Sequence, residues 1–236
     1  MSKILVISDI HGNYDALYSV LTEKYDYLIV SGDLTDYGPD PGLVIDAIKE
    51  SAHHVVMGNH DSANAFNIDC KCSEKFHDLS VYTRNFYKKF ISTEEIKFLK
   101  TLPLFLNFEI DGLKFTIVHA SLADYLYDYV FPEISNEDLI KKFKNSSSDF
   151  VIFGHTHLPM IRIINSTVYI NPGSVGQPRD GNWEASYAII DTYDKSFKIK
   201  RKRYDIEKTI EKINVLNMDD KIKDTLIKIL KNGGIS

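Results

Sequence analysis

Residues 3–13 read Lys3-Ile4-Leu5-Val6-Ile7-Ser8-Asp9-Ile10-His11-Gly12-Asn13. The β-branched apolar run through Ser8 predicts a buried strand, and the polar cluster after it falls where that strand ends. Asn13–Lys24 then carries Leu17, Val20 and Leu21 at helical spacing, with Asn13 a better N-cap candidate than Asp9. The alternation continues. Tyr27–Val30 is a short apolar run, Pro41–Glu50 places Val44, Ile45 and Ile48 on one helical side, and Val55–Met57 is a third strand. Strand, helix, strand, helix, strand implies parallel units in an α/β sheet. In such sheets the ligand crevice lies beyond the carboxyl ends of the strands.

Residues 62–100 interrupt that rhythm as a helical insertion. Ser73–Phe90 is rich in Tyr and Phe, and Ser92 with Glu95 forms a capping-box pattern for a helix through Lys100. Leu104–Ile110 and Leu113–Val118 flank Asp111-Gly112 as a hairpin. A helix at Ser135–Lys144 leads to a strand at Phe150–Phe153. Met160–Ile164 and Val168–Ile170 are joined by Asn165-Ser166, and Ser186–Asp191 and Phe197–Tyr204 form a further hairpin. The second half therefore reads as a mixed or antiparallel sheet packed on the first, with an amphipathic helical tail over about 206–231. The expectation is one domain, residues 1–236, built as a two-sheet α/β sandwich flanked by helices in four layers, α/β/β/α.

The chain has 236 residues, 44% of them hydrophobic and 26% charged, which suits a folded domain of one core. No apolar run reaches the ~18–20 residues of a membrane span, and the start lacks the long apolar region of an export signal. A cytoplasmic setting without membrane contact is expected. The net charge of −5 argues against a nucleic-acid partner, and Lys198–Arg203 reads as an edge strand guarded by cations. Cys70 and Cys72 are too few for a disulfide framework and read as reduced bystander thiols.

Five segments concentrate the chemistry: Asp9-Ile10-His11, Gly32-Asp33-Leu34-Thr35-Asp36, Gly58-Asn59-His60-Asp61, Val118-His119 and Gly154-His155-Thr156-His157. Each follows an apolar run, so each is expected in a turn at a strand end. They hold five of the eight histidines. Each segment alone has a bland reading as a turn or a cap. In an extended segment, His155 and His157 would share one side. Five such turns together point to a shared metal site.

The set Asp9-x-His11, Gly32-Asp33-x-x-Asp36, Gly58-Asn59-His60-Asp61, His119 and Gly154-His155-x-His157, in that order, resembles the calcineurin-like metallophosphoesterase superfamily. The resemblance runs from residue 4 to about residue 190, and Asn171–Arg179 resembles a segment of its small prokaryotic members. It implies two divalent ions. Asp9, His11, Asp33 and His157 would hold one; Asp33, Asn59, His119 and His155 the other. Nitrogen and oxygen donors without thiolate suit Mn, Fe, Zn, Ni or Co. The implied reaction is hydrolysis of a phosphate ester or anhydride by a hydroxide bridging the ions. His60 would protonate the leaving group or stabilise the transition state, and Asp36 would orient the His60 ring.

One departure bears on the substrate. Protein serine/threonine phosphatases of this superfamily carry arginine directly after the position of Asp36, where this chain has Tyr37. A phosphodiester or nucleotide-type substrate is therefore favoured over phosphoprotein. Arg179, or else Arg84, would supply a cation from elsewhere, and Asn13 is a second candidate substrate contact. The alternatives are a phosphoprotein phosphatase and a non-catalytic metal-binding module. Homo-oligomers stay open. The aromatics Tyr82, Phe86, Tyr87 and Phe90 of the insertion read first as core packing or a dimer contact; a second reading has Tyr82 and Phe86 roof the site and stack on a nucleobase.

Overall fold

The computed structural model describes residues 1–144 and 146–234. The strand Lys3–Ile7 (β1) pairs in parallel with Tyr27–Val30 (β2), and β2 with the two-residue strand His54–Val55 (β3). Helix α1 (Tyr14–Leu21) links β1 to β2, and α2 (Pro41–Ser51) links β2 to β3. Asn13 caps α1, its side-chain oxygen accepting the Ala16 N–H at 3.1 Å. Helix α3 (Asn59–Phe66) follows at once, then α4 (Glu74–Tyr87), a 3-10 turn at Lys88–Phe90 and α5 (Thr93–Thr101) with the capping box of Ser92 and Glu95 in place.

The hairpin of β4 (Phe105–Ile110) and β5 (Leu113–Val118) opens a second sheet. Helix α6 (Asn136–Lys142) leads to β6 (Phe150–Ile152), and β7 (Met160–Ile164) and β8 (Thr167–Asn171) complete it in the order β4-β5-β6-β8-β7. One expectation fails here. The hairpin of β9 (Ala185–Asp191) and β10 (Ser196–Lys202) does not join the second sheet. It crosses back so that β9 lies antiparallel to β1, giving the first sheet the order β10-β9-β1-β2-β3. Burial explains the choice. β9 is apolar on both faces and fits beside the central β1, while β10 takes the edge. Three of its cations are paired: Lys200 and Lys202 with Glu23, and Arg201 with Asp180.

Period-two alternation builds the layers. From β1, Leu5 and Ile7 face α1 and α2, while Ile4 and Val6 face the second sheet. There they meet Phe115, Ile117, Phe150, Ile152, Val168 and Ile170. On the far side Val118, Val151 and Phe153 pack under Leu139 and Phe143 of α6 and its end. This is the expected α/β/β/α sandwich. The tail is not one helix but two, α7 (Ile206–Val215) and α8 (Asp220–Asn232), with Asp219 capping the second. No helix among the described residues is long and apolar enough to cross a membrane.

Lys212 of α7 pins the tail to the first sheet's helices, reaching Asp15 and Asp40 at 2.7 Å each. Burial raises the Asp15 carboxyl, but Lys212 and Lys208 outweigh it and leave its pKa below 3.8. Lys212→Met is expected to lower stability by about 1–2 kcal/mol, between the values for exposed and buried pairs. A depressed carboxylate stabilises the fold above its unfolded pKa and loses that effect as pH falls through the folded value. The melting-temperature gap between wild type and variant should therefore be full at neutral pH and shrink as Asp15 is protonated in acid.

Candidate metal centre

The strand register brings the five segments to one edge. Parallel β1 and β2 end side by side, so the Asp9 N–H donates to Gly32 O at 3.0 Å and the His11 N–H to Asp33 O at 3.0 Å. Parallel β5 and β6 do the same for the second sheet, where the Gly154 N–H donates to His119 O at 2.8 Å. The sheets meet where the His155 N–H reaches Asp9 Oδ1 at 3.2 Å. Close approach needs glycine at two points. A Cβ on Gly58 would stand 2.0 Å from Asp33 Oδ1, and one on Gly154 2.0 Å from Ser8 Oγ. The loop tips are strained as well. Asp9, His11, Asp33, Asp36, Tyr37, His155 and His157 all have φ between 48° and 68°. For side-chain-bearing residues such backbone costs about 1–3 kcal/mol each. His155 and His157 therefore do not share a side by extended alternation, as expected from sequence, but by two left-handed residues.

Nine predicted residues converge: Asp9, His11, Asp33, Asp36, Asn59, His60, His119, His155 and His157 are all buried, none more than 3% exposed. Their hydrogen bonds fix which atoms face inward. His11 Nδ1 is 2.8 Å from the Thr35 carbonyl and His157 Nδ1 is 2.6 Å from the Gln177 carbonyl. A carbonyl only accepts, so both Nδ1 atoms carry the proton and both Nε2 atoms are lone pairs. These two lone pairs face each other across 3.2 Å. His119 makes the same carbonyl contact, but although burial lowers its pKa, Asp33 outweighs that and lifts it to about 9. Its Nδ1 donates to Ser31 O at 2.8 Å, and its Nε2 faces Asn59 Oδ1 at 3.0 Å, His155 Nδ1 at 3.2 Å and Asp33 Oδ2 at 3.3 Å. The Asn59 oxygen is fixed inward because its Nδ2 donates to Cys70 O at 2.8 Å. Asp9 Oδ2 and Asp33 Oδ2 are buried without a hydrogen-bond partner.

Buried lone pairs aimed at one another repel, and a cation between them satisfies both. Three groups could hold one: Asp9, His11 and His157; Asp33, His119 and His155; and His11, Asp33 and His60, each with its donor atoms within 4.8 Å of one another. In the third, His60 is already engaged. Its Nδ1 lies 2.8 Å from Asp36 Oδ2, while its Nε2 stands 4.0 Å from Asp33 Oδ2. Without cations the electrostatics are unbalanced. Burial lifts the Asp9 carboxyl to about 7 and drives His11 down to about 3. Burial lowers His60 too, but Asp33 and Asp36 outweigh it and lift it to about 9.

The remaining predicted residues fall out differently. Asn13, expected at the substrate, commits its amide to the fold: its Nδ2 donates to Gly176 O and to the Tyr204 hydroxyl, each at 3.1 Å, and its oxygen caps α1. Arg179 is half-buried, its guanidinium 3.8 Å over the Phe76 ring and its Nη2 donating to Gln177 Oε1 at 2.8 Å. Its Nε is buried without a partner, and its charge is felt at Asp9, His11, His155 and His157. Arg84 instead lies 3.4 Å from Asp36. Tyr82 and Phe86 do not roof the site; they pack with Leu226 and Ile229 of α8, and the Tyr82 hydroxyl accepts the Asp219 N–H. Phe76 and Tyr129 stand nearer, Tyr129 lying 4.2 Å from the His155 ring.

Sequence reasoning gave no role to Asp61, Asn64 or Ser80. The buried Asp61 carboxylate accepts the N–H groups of Asp33, Leu34 and Gly58 at 2.9, 2.8 and 3.0 Å and so fixes the loop that carries Asp33. Asn64 Nδ2 donates to Asp36 Oδ1 at 2.7 Å. The helix α3 that carries Asn59, His60 and Asn64 was read from sequence as a turn, because its mixed polar residues show no apolar stripe.

A model of the calcineurin-like phosphoesterase superfamily domain matches residues 2–195. An uncharacterized protein of Methanocaldococcus jannaschii is 33% identical over 232 residues, covering 90% of this chain and 92% of its own. The phosphodiesterase YfcE of Escherichia coli K12 is 26% identical over 205 residues, covering 81% of this chain and 88% of its own. Among solved structures, a metallophosphoesterase from Sphaerobacter thermophilus superposes with a TM-score of 0.81 at 27% identity, covering 98% of each chain.

Asp33→Asn removes the carboxylate common to two of the three groups while keeping its size. Elemental analysis of protein purified in excess Mn²⁺ should show the bound metal lost, with circular dichroism unchanged. Retention of full metal content would show that the donors meet without enclosing ions.

Proposed function

The chain belongs to the calcineurin-like phosphoesterase superfamily, and we propose that it hydrolyses small phosphate diesters with two divalent cations as cofactor. Asp9, His11, Asp33 and His157 hold one ion, and Asp33, Asn59, His119 and His155 the other. The observation that carries this reading is the set of facing, buried lone pairs beside a separately held His60–Asp36 pair. Bound there, such cations supply Lewis-acid charge for the phosphoryl oxygens and lower the pKa of the attacking water. Mn, Fe, Zn, Co and Ni all suit this donor set.

The chain's own groups do the rest. Asp36 accepts the proton of His60 Nδ1 and is itself held by Asn64, Ser80 and Arg84. That fixes the ring with Nε2 toward Asp33 and the ions. A proton on Nε2 is then placed to neutralise the leaving oxygen as it departs. Arg179 stands at the rim as the cation for a non-bridging phosphoryl oxygen. The diester preference follows from Tyr37. Its ring stands edge-on to His11 at 4.9 Å and tilted against His60 at 5.2 Å, at the sequence position where the protein phosphatases carry arginine. A phosphomonoester carries about 1.5 to 2 negative charges at neutral pH, and a diester only one. A site with an aromatic ring in place of that cation suits the smaller charge.

The Mn²⁺-loaded protein should cleave a bis-aryl phosphate diester, and EDTA should abolish the activity. A screen of diesters, monoesters, dinucleoside polyphosphates and phosphopeptides by kcat/KM should rank diesters above phosphopeptides; the reverse order would overturn the reading. His60→Ala should lower kcat by about 10²–10⁴-fold with metal retained. Arg179→Met should lower kcat/KM by roughly 10- to 100-fold, the worth of one charge-assisted hydrogen bond.

The pH profile tests the acid. His60 must be protonated to donate, so kcat should fall as pH rises through its pKa. Asp36 helps to raise that pKa, so Asp36→Asn should move the alkaline limb to lower pH. A limb that stays in place would remove the pair from the mechanism.

A further inference from the structure

The structure assigns Cys70 and Cys72 as a dithiol site that a hydroperoxide converts to a disulfide, coupled to the metal centre next to it. Among the described residues these cysteines are the only two, and both are free. One residue separates them. Lys71 between them adopts a left-handed backbone, φ 48°, and the sulfurs lie 3.1 Å apart. Cys70 is fully buried and Cys72 half-buried, so solvent reaches the pair from one side.

The pair also touches the groups that the reaction uses. The Cys70 carbonyl accepts the Asn59 Nδ2 hydrogen bond that turns the Asn59 oxygen inward. Cys70 Sγ lies 3.3 Å from Ser80 Oγ, and that hydroxyl lies 3.2 Å from Asp36 Oδ2 and 3.3 Å from His60 Nδ1. A change at the sulfurs is therefore one residue from a metal donor and one hydroxyl from the acid pair.

His60, Cys70 and Cys72 bring donor atoms within 4.8 Å of one another, which would also describe a soft-metal site. The surroundings favour redox chemistry instead. His60 Nδ1 is taken by Asp36, and the Arg84 guanidinium beside that carboxylate adds positive charge that opposes a further cation.

The step balances with a hydroperoxide as oxidant. One sulfur, as thiolate, attacks the outer peroxide oxygen. The O–O bond breaks, the alkoxide leaves as alcohol with the thiol's proton, and a sulfenic acid remains. The second thiol then displaces its hydroxyl as water and the S–S bond forms. The two sulfurs give up two electrons and the peroxide takes them. Bond formation draws the sulfurs from 3.1 Å to about 2.05 Å. It thereby pulls Cys70 away from Ser80 and tilts the carbonyl that holds Asn59.

The test uses the metal-loaded chain treated with stoichiometric tert-butyl hydroperoxide. Intact mass should show loss of two hydrogens, and peptide mapping should place the bond between Cys70 and Cys72. Hydrolysis of the bis-aryl diester should fall at least 10-fold and return with dithiothreitol. The double variant Cys70→Ser/Cys72→Ser should keep its activity through the same treatment. Three results would overturn the proposal: thiols that stay reduced, a disulfide that forms without loss of activity, or equal inactivation of the double variant, which would place the damage at the metals. A Zn²⁺ ion held by the thiols and blocking oxidation would also overturn it. The mass readout does not depend on the phosphoesterase reading, so a chain inactive on every ester would still report whether the bond forms.

Discussion

Buried imidazole nitrogens pointed at one another set the terms for this molecule. His11 and His157 each give their Nδ1 proton to a backbone carbonyl, and that single choice leaves two lone pairs face to face at 3.2 Å. His119 makes the same carbonyl contact and faces Asn59, His155 and Asp33. Around His11 and His157 the carboxylates at hand, Asp33 and Asp9, are acceptors too, so that pair is suited to a cation. The same logic separates His60 from the other rings. Its Nδ1 faces a carboxylate rather than a carbonyl, so it is arranged to carry charge itself.

Holding such a cluster together is a load on the fold. Two sheets must end at the same edge, glycines must admit Asp33 and Ser8 at close range, and seven loop residues must accept left-handed backbone. The surrounding framework over-determines these conformations. Asp61 ties down the Asp33 loop through three backbone N–H groups. From the other side, Ser174 Oγ donates to the Asp9 carbonyl at 2.6 Å and the Val175 N–H to Ser8 O at 3.0 Å. Behind them, β1 is buried on both faces between the helices and the second sheet. The core stabilises strained loops that would not persist alone, and function and stability are opposed at those tips.

Much of this is legible along the chain. The β-branched run of β1, the stripe of α2, the box at Ser92 and Glu95 and the Asp111-Gly112 turn are local signals with local causes. Other features have no local cause. The partner of β9 is decided by which neighbour covers two apolar faces at once, and that is a property of the assembled sheet. Helix α3 lacks an apolar stripe because it is buried on several sides, so its period is silent. Asn13 reads equally well as a cap or a ligand until Gly176 and Tyr204 are seen to occupy its amide. Tyr82 and Phe86 share helical spacing with a site wall, but α8, distant in sequence, claims that face.

The residue types and their order determined the chemistry. Carboxylates, one amide and imidazoles at successive strand ends are a donor set that could hold hard or borderline cations. Which nitrogen of each ring faces inward, which partners hold the His60–Asp36 pair, and how the two cysteines touch Ser80 and Asn59 were decided only in three dimensions. Each depends on a partner that lies many residues away: the Thr35 carbonyl for His11, Gln177 for His157, Ser31 for His119, Asp36 for His60. A sequence states what donors exist; hydrogen-bond geometry between remote segments assigns each donor its proton and its direction.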